Sequence, residues 1–195
     1  MHDRRTRLMG IFEDTQAFYR EDDVLRKAVT RGINRTKLYE ADDYPELQAE
    51  QSGAGKISVI QSKTFEAACK YHKSMPDKKI TVLNFASATH PGGGVKKGSS
   101  AQEESLCRCS TLYPTLDIRW LKEKYYKKNY DAHNNLYSDA CIYSPDVVIC
   151  KTDEDYPKRM KQEEFVTVDV ISCAAPNLRK RPSNPYNPAP VQRIQ

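Results

Sequence analysis

Between Ile57 and Phe85 the chain reads as strand, helix, strand: Ile57-Ser58-Val59-Ile60, then Thr64 to His72, then Ile80 to Phe85. Two strands joined by a helical crossover favour parallel pairing, and this predicts an α/β fold. The second strand runs into His90-Pro91-Gly92-Gly93-Gly94-Val95, and Gln102-Glu103-Glu104 follows at the start of a further helical pattern. Ligands of α/β sheets gather at the carboxyl ends of strands, so this loop is the expected site. Consecutive glycines adopt positive φ and let backbone N–H groups approach an anion, as a phosphate-binding nest requires.

The remaining segments are read by periodicity. Leu8, Ile11, Phe12, Thr15, Phe18 and Tyr19 form one apolar stripe of a helix from Thr6 to about Arg20, and a second helix covers Asp23 to Ile33. Lys37-Leu38-Tyr39 reads as a short strand and Glu40 to Gly55 as a loop. Ser100-x-x-Glu103 fits a capping box that opens a helix with Leu106, Cys109 and Leu112 on its apolar face, ending near Tyr113-Pro114. Thr115 to Tyr130 reads as helical. Cys141-Ile142-Tyr143 and Val147 to Cys150 read as two strands of a hairpin-like unit around Ser144-Pro145-Asp146, and Phe165 to Ser172 reads as a last strand. Leu178 to Gln195 has four prolines and a basic triplet, the pattern of a flexible linker or tail.

Composition narrows the classes of function. At 195 residues the chain suits one domain with its own core. Its 31 basic and 26 acidic residues are interspersed, so the charge of +5 reads as a solvated surface with weak steering toward anions, and no direct DNA binding is expected. No run approaches the roughly 18 apolar residues of a membrane span, and the N-terminus leads into no secretory h-region. An intracellular location, cytoplasmic or nuclear, with no membrane contact is the expectation. None of the six cysteines forms a C-x-x-C pair, so reduced, mostly buried thiols are expected, with no metal and no cofactor.

Adjacent glutamates on a helix project about 100° apart, so Glu103 and Glu104 cannot flank one bond from two sides as an ordinary glycosidase pair does. Burial beside a like charge favours a protonated carboxyl, which suits a general acid. The helix N-terminus favours the ionised form, so the net direction is open, as is the plainer alternative that both residues only complement the helix dipole.

Gly92-Gly93-Gly94 followed seven residues later by Gln102-Glu103-Glu104 resembles the signature of poly(ADP-ribose) glycohydrolases, a branch of the macrodomain fold. Val82 to Ala88 and Leu106 to Tyr113 are similar to the microbial-type branch in particular, and the likeness runs to Ala175-Pro176-Asn177. The resemblance implies a macrodomain-like three-layer α/β fold with a mixed, largely parallel sheet. It divides the chain into an N-terminal helical extension (1–35), a partial catalytic region (36–178) and a flexible tail (179–195). It implies hydrolysis of the ribose–ribose O-glycosidic bond of poly(ADP-ribose), or of ADP-ribosylated protein, with ADP-ribose as product. Glu104 would be the catalytic acid and base, and Glu103 would hold ribose hydroxyls. Gln102 would help to fix loop and ligand, Gly92, Gly93, Gly94 and Val95 would wrap the diphosphate and distal ribose, and Asn84 and Ser87 would contact ribose. Family members continue into a second glycine-rich loop, whereas every glycine here lies in the first 98 residues. The chain is therefore expected to be a fragment or a truncated form incomplete at the C-terminus. A non-catalytic ADP-ribose-binding module and a degenerate homologue are the alternatives.

Overall fold

A computed structural model of the chain describes residues 2–43 and 55–177. The tail from 178 onward and most of the Glu40 to Gly55 loop lie outside the described residues. Two helices open the chain, α1 (His2–Glu21) and α2 (Asp23–Arg35). The apolar stripe of α1 buries Leu8, Phe12, Thr15 and Tyr19. Asp22 separates the two helices by capping α2, its carboxylate accepting from Leu25 N at 3.0 Å.

Four strands follow the order β1-β3-β4-β2: β1 (Lys37–Tyr39), β2 (Thr81–Phe85), β3 (Cys141–Ile149) and β4 (Val166–Cys173). The α/β class and the mixed sheet are as expected. The pairing is less parallel than expected: among the described strands β2–β4 is parallel, while β1–β3 and β3–β4 are antiparallel. The expected strand at Ile57 to Ile60 is not formed, and Ile57 and Val59 are 92% and 96% exposed. Alternation of apolar residues marks a segment able to form a strand, but a strand also needs a neighbour to complete its hydrogen bonds. The place beside β2 is taken by β4, some 80 residues later in the chain.

The expected hairpin-like unit around Pro145 is one strand, β3, carrying a bulge between Ser144 and Val147. The bulge inserts a residue and flips the parity of the strand. Ile142 faces the main core before it, and Val147 and Ile149 face the same core after it, while Val148 and Cys150 turn to a second cluster with Tyr19, Leu25 and Ala28. Pro145 cannot donate to a ladder, and Asp146 takes φ 57 at the bend. Asp169 holds this geometry from β4: it accepts from Asp146 N at 3.2 Å and from the Tyr143 hydroxyl, and pairs with Lys79 at 2.6 Å.

The other helices are α3 (Thr64–Ser74), α4 (Gln102–Cys109), α5 (Leu112–Leu116), α6 (Arg119–Leu121) and α7 (Lys128–Asp131), with a π-helical stretch at Lys122–Lys127 between the last two. The expected long helices through Tyr113 and from Thr115 are thus broken at Ser110 and Asp117. At the first break the Ser110 hydroxyl donates to Leu106 O at 2.8 Å, and Cys150 N donates to Cys109 O at 2.9 Å, drawing the chain toward the end of β3. The main core gathers Phe12, Phe65, Leu106, Leu112, Leu116 and Leu121 with the valines of β4. Phe12 and Tyr113 meet edge to face at 4.9 Å, fixing α1 against α5. Asp169→Ala removes the buried acceptor of this network, leaving Asp146 N–H and the Tyr143 hydroxyl without it while the Lys79 ammonium stays in solvent, and is expected to lower unfolding free energy by about 2 kcal/mol, read by urea denaturation.

Candidate functional site

The carboxyl end of β2 delivers Phe85, Ala86 and Ser87 to one side of a cleft of about 610 Å³, and the glycine loop, a 3-10 turn (Val95–Lys97) and the start of α4 form its other walls. Gly92 and Gly93 take φ 65 and 57. A Cβ on Gly93 would lie 2.6 Å from Glu104 Oε1 and 3.0 Å from Glu103 Oε2, so glycine is required here for both conformation and space.

The expected nest is turned inward. Gly94 N–H donates to Glu104 Oε1 at 2.8 Å, Gly93 N–H to His90 O at 3.0 Å, and Val95 N–H to Gly92 O at 3.1 Å. The loop therefore clasps a carboxylate of its own chain. Its outer end is equally fixed. The buried Arg108 donates through Nη1 to Ser99 O at 2.7 Å, and Gly98 packs so closely on α1 that a Cβ there would lie 2.4 Å from Arg5 O.

Glu103 and Glu104 are both buried, at 3% and 7% exposure, and both line the cleft. Their surroundings differ. Glu103 accepts from Ser87 N at 2.8 Å through Oε2 and lies 3.5 Å from Asn84 Nδ2 through Oε1. Burial pushes its carboxyl up to about 7; the bonds from Ser87 and Asn84 oppose the rise, and the charge of Glu104 adds to it. Burial thus outweighs the hydrogen bonds that favour the ionised form of Glu103. Glu104 accepts through Oε1, while its Oε2 has no hydrogen-bond partner among the described residues. The expected capping box is not made: Ala101 precedes the first turn of α4, and the Glu103 carboxylate reaches Ser87 N instead of turning back on its own helix.

The other sequence candidates separate. Ser87, Gly93 and Gly94 line the cleft. Gly92 sits behind it, where a Cβ would lie 2.8 Å from the Tyr113 ring. Val95 is fully buried in the main core. Asn84 is fully buried on β2, donating to Ser172 Oγ at 2.9 Å. Gln102 points away from the cleft and grips the uncovered edge of β2, accepting from Phe85 N at 2.9 Å and donating to Leu83 O at 2.8 Å. Sequence reading missed Phe85, His90, Lys96, Lys97, Tyr113 and Asp117, which also line the cleft. Lys96 and Lys97 follow the triglycine directly and could have been found; Tyr113 and Asp117 arrive only because α5 folds back on the loop. Tyr125 and Tyr126, on the π-helical stretch, bury hydroxyls that have no hydrogen-bond partner among the described residues, and burial, with the charge of Glu103 adding, raises both phenols.

Two substitutions probe this arrangement. Gly93→Ala is expected to cost about 2 kcal/mol or more, from positive φ together with displacement of the carboxylates, measured as a shift in the urea midpoint. Glu103 carries the pH dependence. Between its ordinary value of 4.5 and about 7 the folded chain holds a proton that the unfolded chain has released, so stability falls as pH rises through that window. Glu103→Gln removes this fall, and its stability relative to the parent chain is expected to gain about 3 kcal/mol from pH 4.5 to pH 8, measured by denaturation across pH.

The family model described as microbial-type PARG, catalytic domain, matches residues 11–152. Among solved structures, poly(ADP-ribose) glycohydrolase from Thermomonospora curvata bound to the inhibitor ADP-HPD is similar at 29% identity and a TM-score of 0.73, over 90% of this chain and 64% of that one. Poly(ADP-ribose) glycohydrolase from Deinococcus radiodurans in complex with ADP-ribose is similar at 32% identity and a TM-score of 0.63, over 77% of this chain and 58% of that one. This chain thus spans less than two thirds of the length of either structure. No curated protein sequence matches it. Among the described residues no helix is long and apolar enough to cross a membrane.

Proposed function

The chain belongs to the microbial-type poly(ADP-ribose) glycohydrolase catalytic-domain family, and on that premise we propose that it hydrolyses the ribose–ribose O-glycosidic bond of poly(ADP-ribose), releasing ADP-ribose, with Glu104 as general acid and base. The observation that carries this assignment is the difference between the two carboxylates. Glu104, a residue that lines the cleft, is anchored through one oxygen, while its other oxygen is buried and has no hydrogen-bond partner among the described residues.

In the first step the protonated Glu104 gives its proton to the departing ribose oxygen as the C–O bond breaks and positive charge develops on the sugar. In the second, the resulting carboxylate takes a proton from water as the water oxygen bonds to that carbon. The proton returns to Glu104 and the cycle closes without a metal or redox partner. Glu103 supports the same centre. Its oxygens accept from Ser87 and Asn84 but retain lone pairs, so they can receive ribose hydroxyls as well. Gly93 and Gly94 line the cleft, and their missing side chains make room for the Glu104 carboxylate and the Ser99 side chain, so they would serve a diphosphate only as part of the wall. Ser87, which lines the cleft, would meet ribose in this reading. Gln102 acts on the protein side, by fixing the first turn of α4 to β2.

Residues 36–178 form the catalytic region in this reading, and residues 1–35 a helical extension that seats the glycine loop through the contact of α1 with Gly98. ADP-ribosylated proteins that carry the polymer are the natural partners. Glu104→Gln keeps the size of the side chain and removes its proton transfer. The expected result is a loss of 10²- to 10⁴-fold, about 10³, in release of ADP-ribose from polymer, with ADP-ribose binding retained by calorimetric titration. Near-parental turnover in that variant would overturn the role of Glu104. Binding of ADP-ribose by the parent chain without any release from polymer would assign a binding module instead.

A further inference from the structure

The glycine loop cannot meet the charge of a phosphate with its own amides, because Gly93, Gly94 and Val95 donate to His90 O, Glu104 Oε1 and Gly92 O. The two buried glutamates that line the same cleft offer an anion no positive charge either. A polyanionic substrate therefore needs cations near the mouth. Lys96 and Lys97 line the cleft, are exposed, and make no ion pair among the described residues. The other acid on this wall, Asp117, is paired with Lys122 at 2.7 Å and not with either lysine.

Their backbone is held. Gly98 ends the turn at φ 69 and donates to Val95 O at 3.1 Å, and it abuts Arg5 of α1. The Lys96 ammonium lies 5.2 Å from the centroid of the Tyr113 ring, itself a wall of the cleft. Lysine suits such a position, since a compact ammonium on a flexible stem serves as a point charge for phosphate without demanding one geometry.

We propose that Lys96 and Lys97 form an anion subsite at the mouth of the cleft, which takes a phosphate of poly(ADP-ribose) from a unit beyond the linkage being cut and so sets a preference for polymer over single ADP-ribose. This rests on the glycohydrolase reading of the cleft. Each phosphate neutralised along a flexible strand adds a salt-dependent increment to affinity, which a single unit bound at the scissile position does not gain.

The test titrates the whole chain, carrying Glu104→Gln to stop turnover, with ADP-ribose and with short poly(ADP-ribose), at several salt concentrations. Adding K96A and K97A together is expected to weaken polymer binding about tenfold, to reduce the slope of log affinity against log salt by about one, and to weaken ADP-ribose binding far less. K27A with K78A removes the same charge outside the cleft and controls for net charge. Equal losses for both ligands, or a polymer loss no larger than in the control pair, overturn the subsite alone. A chain that binds neither ligand overturns the function reading, and the subsite with it. A chain that binds polymer through these lysines but, with Glu104 intact, releases no ADP-ribose leaves the subsite standing and removes only the hydrolytic reading.

Discussion

Two backbone amides hold the site together: Gly94 N–H on Glu104 and Ser87 N–H on Glu103. Burying adjacent carboxylates is costly unless each finds donors. Here the donors come from the loop between β2 and α4, so the helix, the loop and the strand end form one unit. The glycines follow from this bond, because a side chain at position 93 would occupy the space of the carboxylates. The seating of α1 follows as well. Arg5 closes over Gly98, the Thr15 hydroxyl donates to Arg108 O at 2.7 Å, and Arg108 reaches Ser99 O, so the first helix braces the loop from behind.

The same bonds give neighbouring glutamates unlike chemistry. Glu103 is held by Asn84 and Ser87, and burial raises it to about 7. Glu104 has one anchored oxygen and one without a partner among the described residues. Adjacent residues in one helical turn have thus been placed in separate environments by what the preceding loop offers each of them.

Much of this was legible in the chain, and the parts that were not have physical causes. The helices of the N-terminus, β1, β2 and β4 were readable because their periodicity is local. The joined β3 was not, because its bulge is held by Asp169 of β4 and changes the face on which apolar residues fall. Ile57 to Ile60 was misread because alternation says nothing about whether a partner edge is free. At the site, Glu103, Glu104 and the triglycine were marked by residue type and spacing. The inward turn of the loop amides was not, since a glycine loop that binds a foreign anion and one that binds its own glutamate look alike in sequence. Gln102 was expected at the ligand, but its amide faces the backbone of β2. Val95 was grouped with the loop, but it is a core residue.

The grip of Gln102 on β2 has a consequence for the growth of the sheet. Leu83 O and Phe85 N lie on the side of β2 that β4 does not cover, and one side-chain amide supplies the donor and acceptor that an incoming strand would otherwise provide. Any strand added at this edge can form its ladder only with the first part of β2 and must diverge before reaching the cleft. A single glutamine thereby occupies the strand-pairing positions of β2 that lie nearest the cleft.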